Sequence, residues 1–222
     1  MSAASQFEKD GFLIVPGVIG DDVAKLLIAA LGPKGAFAGL RQVHETMPAV
    51  RDLIASQAIR HWVELILGEQ ARVVRSICFD KNVENNWAVP WHQDLTIAVR
   101  EKVEAPGFVG WSMKHGALHV QAPRDVLEKM LTVRLHLDDC GAENGPLSVL
   151  AGSHREGWLN AEQIDVFKAT VSPTVCTTAR GGAVLMRPLL LHSSARATKP
   201  DHRRVLHLEF SASPLPFGLK WV

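Results

Sequence analysis

Among the His-x-acid pairs in the sequence are His92-Gln93-Asp94, His136-Leu137-Asp138 and His207-Leu208-Glu209. Residues two apart on a strand project to the same side, so each pair is able to offer an imidazole and a carboxylate to one ion. Two histidines and one carboxylate hold iron on one face and leave other positions open for oxygen and a cosubstrate. A single His-x-Asp says little, because a chain with 10 His and 11 Asp contains about half of one by chance. A later histidine, His192, separates the pairs. It lies 98 residues beyond Asp94 but only 54 beyond Asp138. A jelly roll puts the pair on an early strand and the third ligand on a late one, and only the longer gap holds enough strand signals. His92, Asp94 and His192 are therefore the expected metal ligands. His136 is expected to face the barrel interior from a strand, with Asp138-Asp139 in a turn. Each histidine taken singly is more often a satisfied structural residue; the set of four formed with Arg203 is what carries weight.

Arg203 follows His192 by 11 residues, across a turn containing Pro200-Asp201 and at the start of the last strand. From there its guanidinium can reach back toward the metal and grip a carboxylate in bidentate fashion. Arg204 beside it reads as a surface residue.

The elements that must position these residues change character near residue 71. Before it, apolar spacing is helical. A helix capped by Asp21 is expected to run through Leu31, with Val23, Leu26, Leu27 and Ala30 on one face and Gly32-Pro33 ending it. A second is expected from Ala49 to Leu67, stopped by Gly68, with Leu53, Ile54, Ile59, Val63 and Ile66 on its face. After it, short β-branched runs dominate: 72–80, 131–137, 146–150, 170–177, 183–186 and 204–210. In the second run Leu131, Val133, Leu135 and Leu137 alternate with Thr132, Arg134 and His136. Asn144-Gly145 and Gly181-Gly182 supply turns. Helices first and strands after predict a β-sandwich or jelly roll buttressed by N-terminal helices. The stretch 95–130, containing Trp111, has the length of a lid or binding loop. The chain thus reads as a single domain over 1–222, with 1–70 as helical support and 71–222 as the core.

Composition excludes several classes. Lys and Arg number 24 against 23 Asp and Glu, so nothing draws the chain to nucleic acid or membrane. No apolar run is long enough to span a bilayer, and the first residues do not read as a secretory signal. Cys78, Cys140 and Cys176 are odd in number and widely spaced, which suits a reducing cytoplasm without disulfides. The expected partner is a small-molecule substrate.

The order of these residues resembles the phytanoyl-CoA dioxygenase family of iron(II)/2-oxoglutarate oxygenases. The matching stretches are Pro90-Trp-His-Gln-Asp94, Asp138-Asp-Cys-Gly-Ala-Glu-Asn-Gly-Pro146, Gly152-Ser-His-Arg155, and His192-Ser-Ser leading to Arg203. Ala151 departs from the family, which usually has Pro before Gly-Ser-His. The resemblance implies a double-stranded β-helix (cupin-like jelly roll) with iron(II) on His92, Asp94 and His192. It further implies O2 as oxidant and Arg203 paired with the distal carboxylate of 2-oxoglutarate. The strand before the metal pair is also similar to the ectoine hydroxylase branch. There Lys81 matches a lysine associated with 2-oxoglutarate and Arg75 a position that contacts substrate. Arg134 falls where relatives often place an aromatic beside the cosubstrate. Either Arg75 and Arg134 face the cavity, or they are solvated or paired on outer faces. Asp94 itself argues for hydroxylation or a related oxidation, because halogenases of this chemistry lack that carboxylate. If Arg75, Arg134 and Arg187 face inward, the substrate is expected to be a small anion covered by Trp111 and the lid. The competing readings are a non-catalytic jelly-roll binding protein and a cupin-like isomerase or lyase that uses metal without 2-oxoglutarate.

Overall fold

A computed structural model describes residues 1–32, 39–114 and 116–222; Pro33, expected to end the first long helix, lies outside them. The N-terminal part contains α1 (Ala3–Asp10), β1 (Phe12–Val15), α2 (Asp21–Leu31), β2 (Leu40–Arg41), α3 (Val43–Thr46), α4 (Pro48–Ala55) and α5 (Gln57–Leu67). Then come β3 (Arg72–Lys81), β4 (Val89–His92), β5 (Thr96–Val99), β6 (Val109–Lys114), β7 (Ala117–Gln121), α6 (Arg124–Leu127) and β8 (Met130–His136). The chain continues through β9 (Leu147–Val149), α7 (Ala161–Thr170), β10 (Thr174–Cys176), β11 (Ala183–Met186), β12 (His192–Ser194) and β13 (Arg203–Ser211).

A six-stranded sheet in the order β1-β11-β8-β13-β3-β2 faces a four-stranded sheet in the order β10-β9-β12-β4. All pairings are antiparallel. This is the expected jelly roll, and the N-terminal helices cover its large sheet. Strand β8 shows why the large sheet is buried on both sides. Leu131, Val133 and Leu135 pack with Leu206, Leu208 and Phe210 of β13 against Leu27, Val50, Ile59 and Val63 of the helices. Thr132, Arg134 and His136 alternate with them and point the other way, toward the small sheet, as period-two geometry requires. That inner layer has a small apolar part, Leu147, Val149, Cys176, Val184, Met186 and Leu190. The rest of it mixes polar groups with Ile77, Phe79 and Val89.

Several local expectations change. Helix α2 ends at Leu31 as expected, but Asp21 is its first residue rather than its cap, Gly20 is the N-cap, and its buried side is Ala24, Leu27 and Leu31. Val23 and Leu26 are exposed, because the helix turns its i, i+3, i+7 stripe to the sheet. The long helix from Ala49 is two helices, α4 and α5. Ser56 between them is extended (φ −71°, ψ 153°), and its Oγ donates to the Leu53 carbonyl at 2.6 Å. A serine hydroxyl that satisfies the last turn offers the backbone an exit from the helix. The strand expected over 170–177 is shorter, since helix α7 ends at Thr170. Its start is fixed by an Asn160/Gln163 capping box.

The 95–130 segment is a three-stranded sheet in the order β5-β7-β6 followed by α6. It builds its own apolar cluster, in which Ile97, Val99 and Val120 meet Leu215 and Leu219 from the C-terminal tail. Trp111 packs at the edge of this cluster.

Candidate metal centre

Strand pairing brings the distant ligands together. His92 on β4 and His192 on β12 are register partners, and their ring centroids stand 4.1 Å apart. Each imidazole is oriented by its own backbone. Nδ1 of His92 donates to the Pro90 carbonyl at 2.9 Å, and Nδ1 of His192 donates to the Leu190 carbonyl at 2.8 Å. With Nδ1 protonated, Nε2 of both rings carries the lone pair. These two atoms face Asp94, at 3.7 Å from Oδ1 for His92 and 3.6 Å from Oδ2 for His192. Among the described residues, the ligand atoms of His92, Asp94 and His192 lie within 4.8 Å of one another.

Asp94 is held just beyond the strand. Its amide donates to the Pro188 carbonyl at 2.9 Å. The intervening Gln93 is buried, donating to the carbonyls of Gly157 (2.8 Å) and Leu189 (2.7 Å) and accepting from the Leu159 amide (2.9 Å). It ties the turn between two ligands to two other segments, 157–159 and Leu189, a role the His-x-Asp pattern does not reveal. Burial opposes ionisation of Asp94, but His192, His207, His92 and Arg75 outweigh it and hold the carboxyl below the usual carboxylate range. Burial pushes His192 down to about 4, so its ring is neutral. Asp94 Oδ2 is buried without a hydrogen-bond donor. Two neutral imidazole nitrogens and an orphaned carboxylate oxygen converging in this way are a donor set that fits a divalent iron ion.

A cavity of about 560 Å³, continuous with solvent, opens beside this triad. Its small-sheet wall includes Val89, Leu147, Ser193 and Ser194, and its large-sheet wall Arg75, Ile77, Phe79, Arg134, Arg203 and His207. Arg203 is buried. It donates through Nη1 to the Gly145 carbonyl and, at 3.4 Å, to Ser194 Oγ, while its Nε has no partner. Gly145 suits that place: at φ +59° a Cβ there would stand 2.7 Å from the Ala195 carbonyl oxygen.

Lys81 pairs in register with Arg203 but does not line the cavity. Its Nζ donates to Ser194 Oγ and to the Ala195 carbonyl, both at 2.8 Å, and lies 5.5 Å from the Trp87 ring centre. Burial, then Arg203 and Arg134, push its ammonium down to about 7.

Arg75 and Arg134 both face the cavity, and their partners differ. Arg75 donates through Nε to Glu209 Oε1 at 2.9 Å and through Nη2 to the same oxygen. Arg134 donates through Nη1 to His207 Nδ1 at 2.9 Å. A nitrogen that accepts from a guanidinium carries no proton, so the His207 proton is on Nε2, which donates to Glu209 Oε1 at 3.0 Å. The third His-x-acid pair is thus the link between two arginines.

Three expectations fail. Trp111 is absent from the cavity wall, because its strand folds away with the 95–130 sheet; Trp87 lines the cavity instead. Arg187 is also elsewhere, bound to Glu8 and the carbonyls of Glu128 and Met130, with its guanidinium 4.9 Å from the Phe7 ring centre. Arg204 is no free surface residue either, since it grips Asp138 through Nε (2.8 Å) and Nη2 (2.7 Å).

A jelly roll with two histidines and a carboxylate at the mouth of a basic cavity defines a non-haem iron oxygenase. The chain belongs to the phytanoyl-CoA dioxygenase family, whose pattern matches residues 7–205. It is 24% identical over 251 residues to L-proline trans-4-hydroxylase of Streptomyces griseoviridis, covering 95% of this chain and 86% of that protein. Among solved structures it is similar to EctD from S. alaskensis with 2-oxoglutarate and 5-hydroxyectoine. That similarity has a TM-score of 0.74 at 19% identity, over 95% of this chain and 76% of the other. The α-ketoglutarate-dependent epimerase SnoN from nogalamycin biosynthesis is also similar, with a TM-score of 0.69 at 17% identity over 94% and 81% of the chains. Iron and 2-oxoglutarate are the metal and cosubstrate of this family's site.

Proposed function

We propose that this protein hydroxylates a small metabolite bearing a carboxylate or another anion, using iron(II) on His92, Asp94 and His192 and 2-oxoglutarate anchored by Arg203. The observation that carries this reading is the shared cavity of the triad and a buried guanidinium whose Nε lacks a partner. When bound, iron and cosubstrate supply oxygen activation, with succinate and CO2 released and a hydroxyl delivered to carbon.

The chain's own groups do the holding. Nδ1 hydrogen bonds to Pro90 and Leu190 keep both imidazoles aimed at the metal position. Arg203 receives the distal carboxylate, and Lys81 behind it adds positive character through Ser194. Arg75, braced by Glu209, is the cation left to meet substrate, and Trp87, beside Lys81, is the tryptophan that lines the cavity. Iron and three guanidiniums face Asp94, Glu209 and a doubly charged cosubstrate, leaving one positive charge over. A desolvated surplus of that sign favours an anionic substrate.

The test begins with anaerobic titration of iron(II) and 2-oxoglutarate. A visible charge-transfer band is expected, absent in His192→Ala and requiring more cosubstrate in Arg203→Ala. Succinate release is then measured with carboxylate metabolites, L-proline first, against neutral and cationic compounds. Stimulation by an anion with a product one oxygen heavier supports the reading. Turnover of neutral or cationic compounds alone, or a product isomeric with the substrate, overturns it.

A further inference from the structure

The two cavity-facing arginines are not equivalent. Glu209 accepts two hydrogen bonds from Arg75 and neutralises it. Among the described residues, Arg134 has the neutral His207 as its side-chain hydrogen-bond partner and the Phe79 ring centre 6.0 Å from its guanidinium carbon; its Nε is buried with no hydrogen-bond partner, and it is 8% exposed. Neither carboxylate nearby is available to it: Asp94 belongs to the metal triad and Glu209 is shared by Arg75 and His207. A buried cation in this position calls for an anion from outside the chain. Burial and then Arg203 lower its pKa to about 10, with Asp94 opposing. On the β8–β13 ladder it stands opposite His207, four residues along β13 from Arg203, and it lines the same cavity as Asp94 and Arg203. Any ligand that reaches from the metal ligands to Arg203 passes it. At the Arg203 end a carboxylate already meets Arg203, with Lys81 behind; among the described residues, no other guanidinium lining the cavity near the metal ligands is without a carboxylate partner.

Resting on the function proposed above, we infer that Arg134 binds the cosubstrate carboxylate that lies next to the metal, and that His207 and Glu209 are positioning residues that hold it there. The cosubstrate is then gripped by one arginine at each end. His207 fulfils its part by accepting from Arg134 while donating to Glu209, which also keeps Arg75 turned away from Arg134.

The charge-transfer band tests this without turnover, using two probes: 2-oxoglutarate, and pyruvate, a 2-oxo acid without a distal carboxylate. Wild-type protein is expected to form the band with both, at higher concentration for pyruvate. Arg134→Gln should weaken both probes by roughly 10- to 100-fold, whereas Arg203→Gln should weaken 2-oxoglutarate alone. His207→Gln, whose amide accepts and donates in the same directions, should stay near wild type, and His207→Leu should follow Arg134→Gln. Iron binding without a 2-oxo acid and thermal melting confirm that each variant is folded; Arg134→Lys substitutes if the glutamine variant is not. Loss confined to 2-oxoglutarate in Arg134→Gln would move this residue to the distal end and overturn the assignment. So would unchanged affinity for both probes, or a wild type that gives no band with pyruvate. Absence of a band with 2-oxoglutarate in wild type would instead refute the iron and cosubstrate reading itself.

Discussion

In His92-Gln93-Asp94 the carboxylate has an oxygen without a donor, and two imidazole lone pairs face it. In His136-Leu137-Asp138 the same side chains at the same spacing are taken up differently. Asp138 accepts from the Arg204 side chain and, at 2.9 Å, from its amide. His136 points inward with neither ring nitrogen hydrogen-bonded, and burial, then Arg134 and Arg203, push its pKa well down. A metal site needs an acid left unsatisfied by protein donors and imidazoles with Nδ1 already committed. The first pair has both, and the second has neither.

Substitutions can break that contrast. His92→Ala, Asp94→Ala or His192→Ala should lower iron affinity more than about 100-fold, since each removes one of three ligands. His136→Ala and Asp138→Asn should leave it within about threefold by the same titration. Iron loss in the second group would erase the distinction. Asp138→Asn should instead lower stability by about 2–3 kcal/mol in denaturant unfolding, because it strands Arg204 in a largely buried pair. Gln93→Ala should weaken iron binding about tenfold, through a looser turn between the ligands rather than a lost ligand.

The smallest effect concerns acid. A histidine whose folded pKa is depressed stabilises the fold above the unfolded value near 6.5, and that contribution is lost as pH falls below it. His136 is such a group. His136→Leu should therefore flatten the decline in stability of metal-free protein between about pH 6.5 and 4, read from chemical denaturation at several pH values. An unchanged slope would remove His136 as a source of acid sensitivity.

Much of this was legible in the chain. The alternation in 131–137 carries over directly, and the 98-residue gap to His192 distinguished two identical pairs because strand count, not spacing alone, closes a jelly roll. What sequence patterns do not carry is which polar groups find each other. Arg204 reads as exposed because its partner Asp138 is 66 residues away. Glu209 looks like another ligand until Arg75 is seen across the β3–β13 ladder. Trp111 failed for a different reason. Length marked 95–130 as a lid, but its apolar residues match the C-terminal tail and not the cavity.

The pairing of His92 with His192 has a further consequence. Each ring takes its direction from the carbonyl two residues before it, and the strands that carry them are bonded to each other directly. Neither carbonyl belongs to residues 95–130. That lobe meets the rest of the fold through Val74, Leu189 and the C-terminal tail, so away from those contacts it can lengthen, shrink or change surface without disturbing the imidazoles. The catalytic geometry and the outline of the molecule around it are thereby free to evolve on separate clocks.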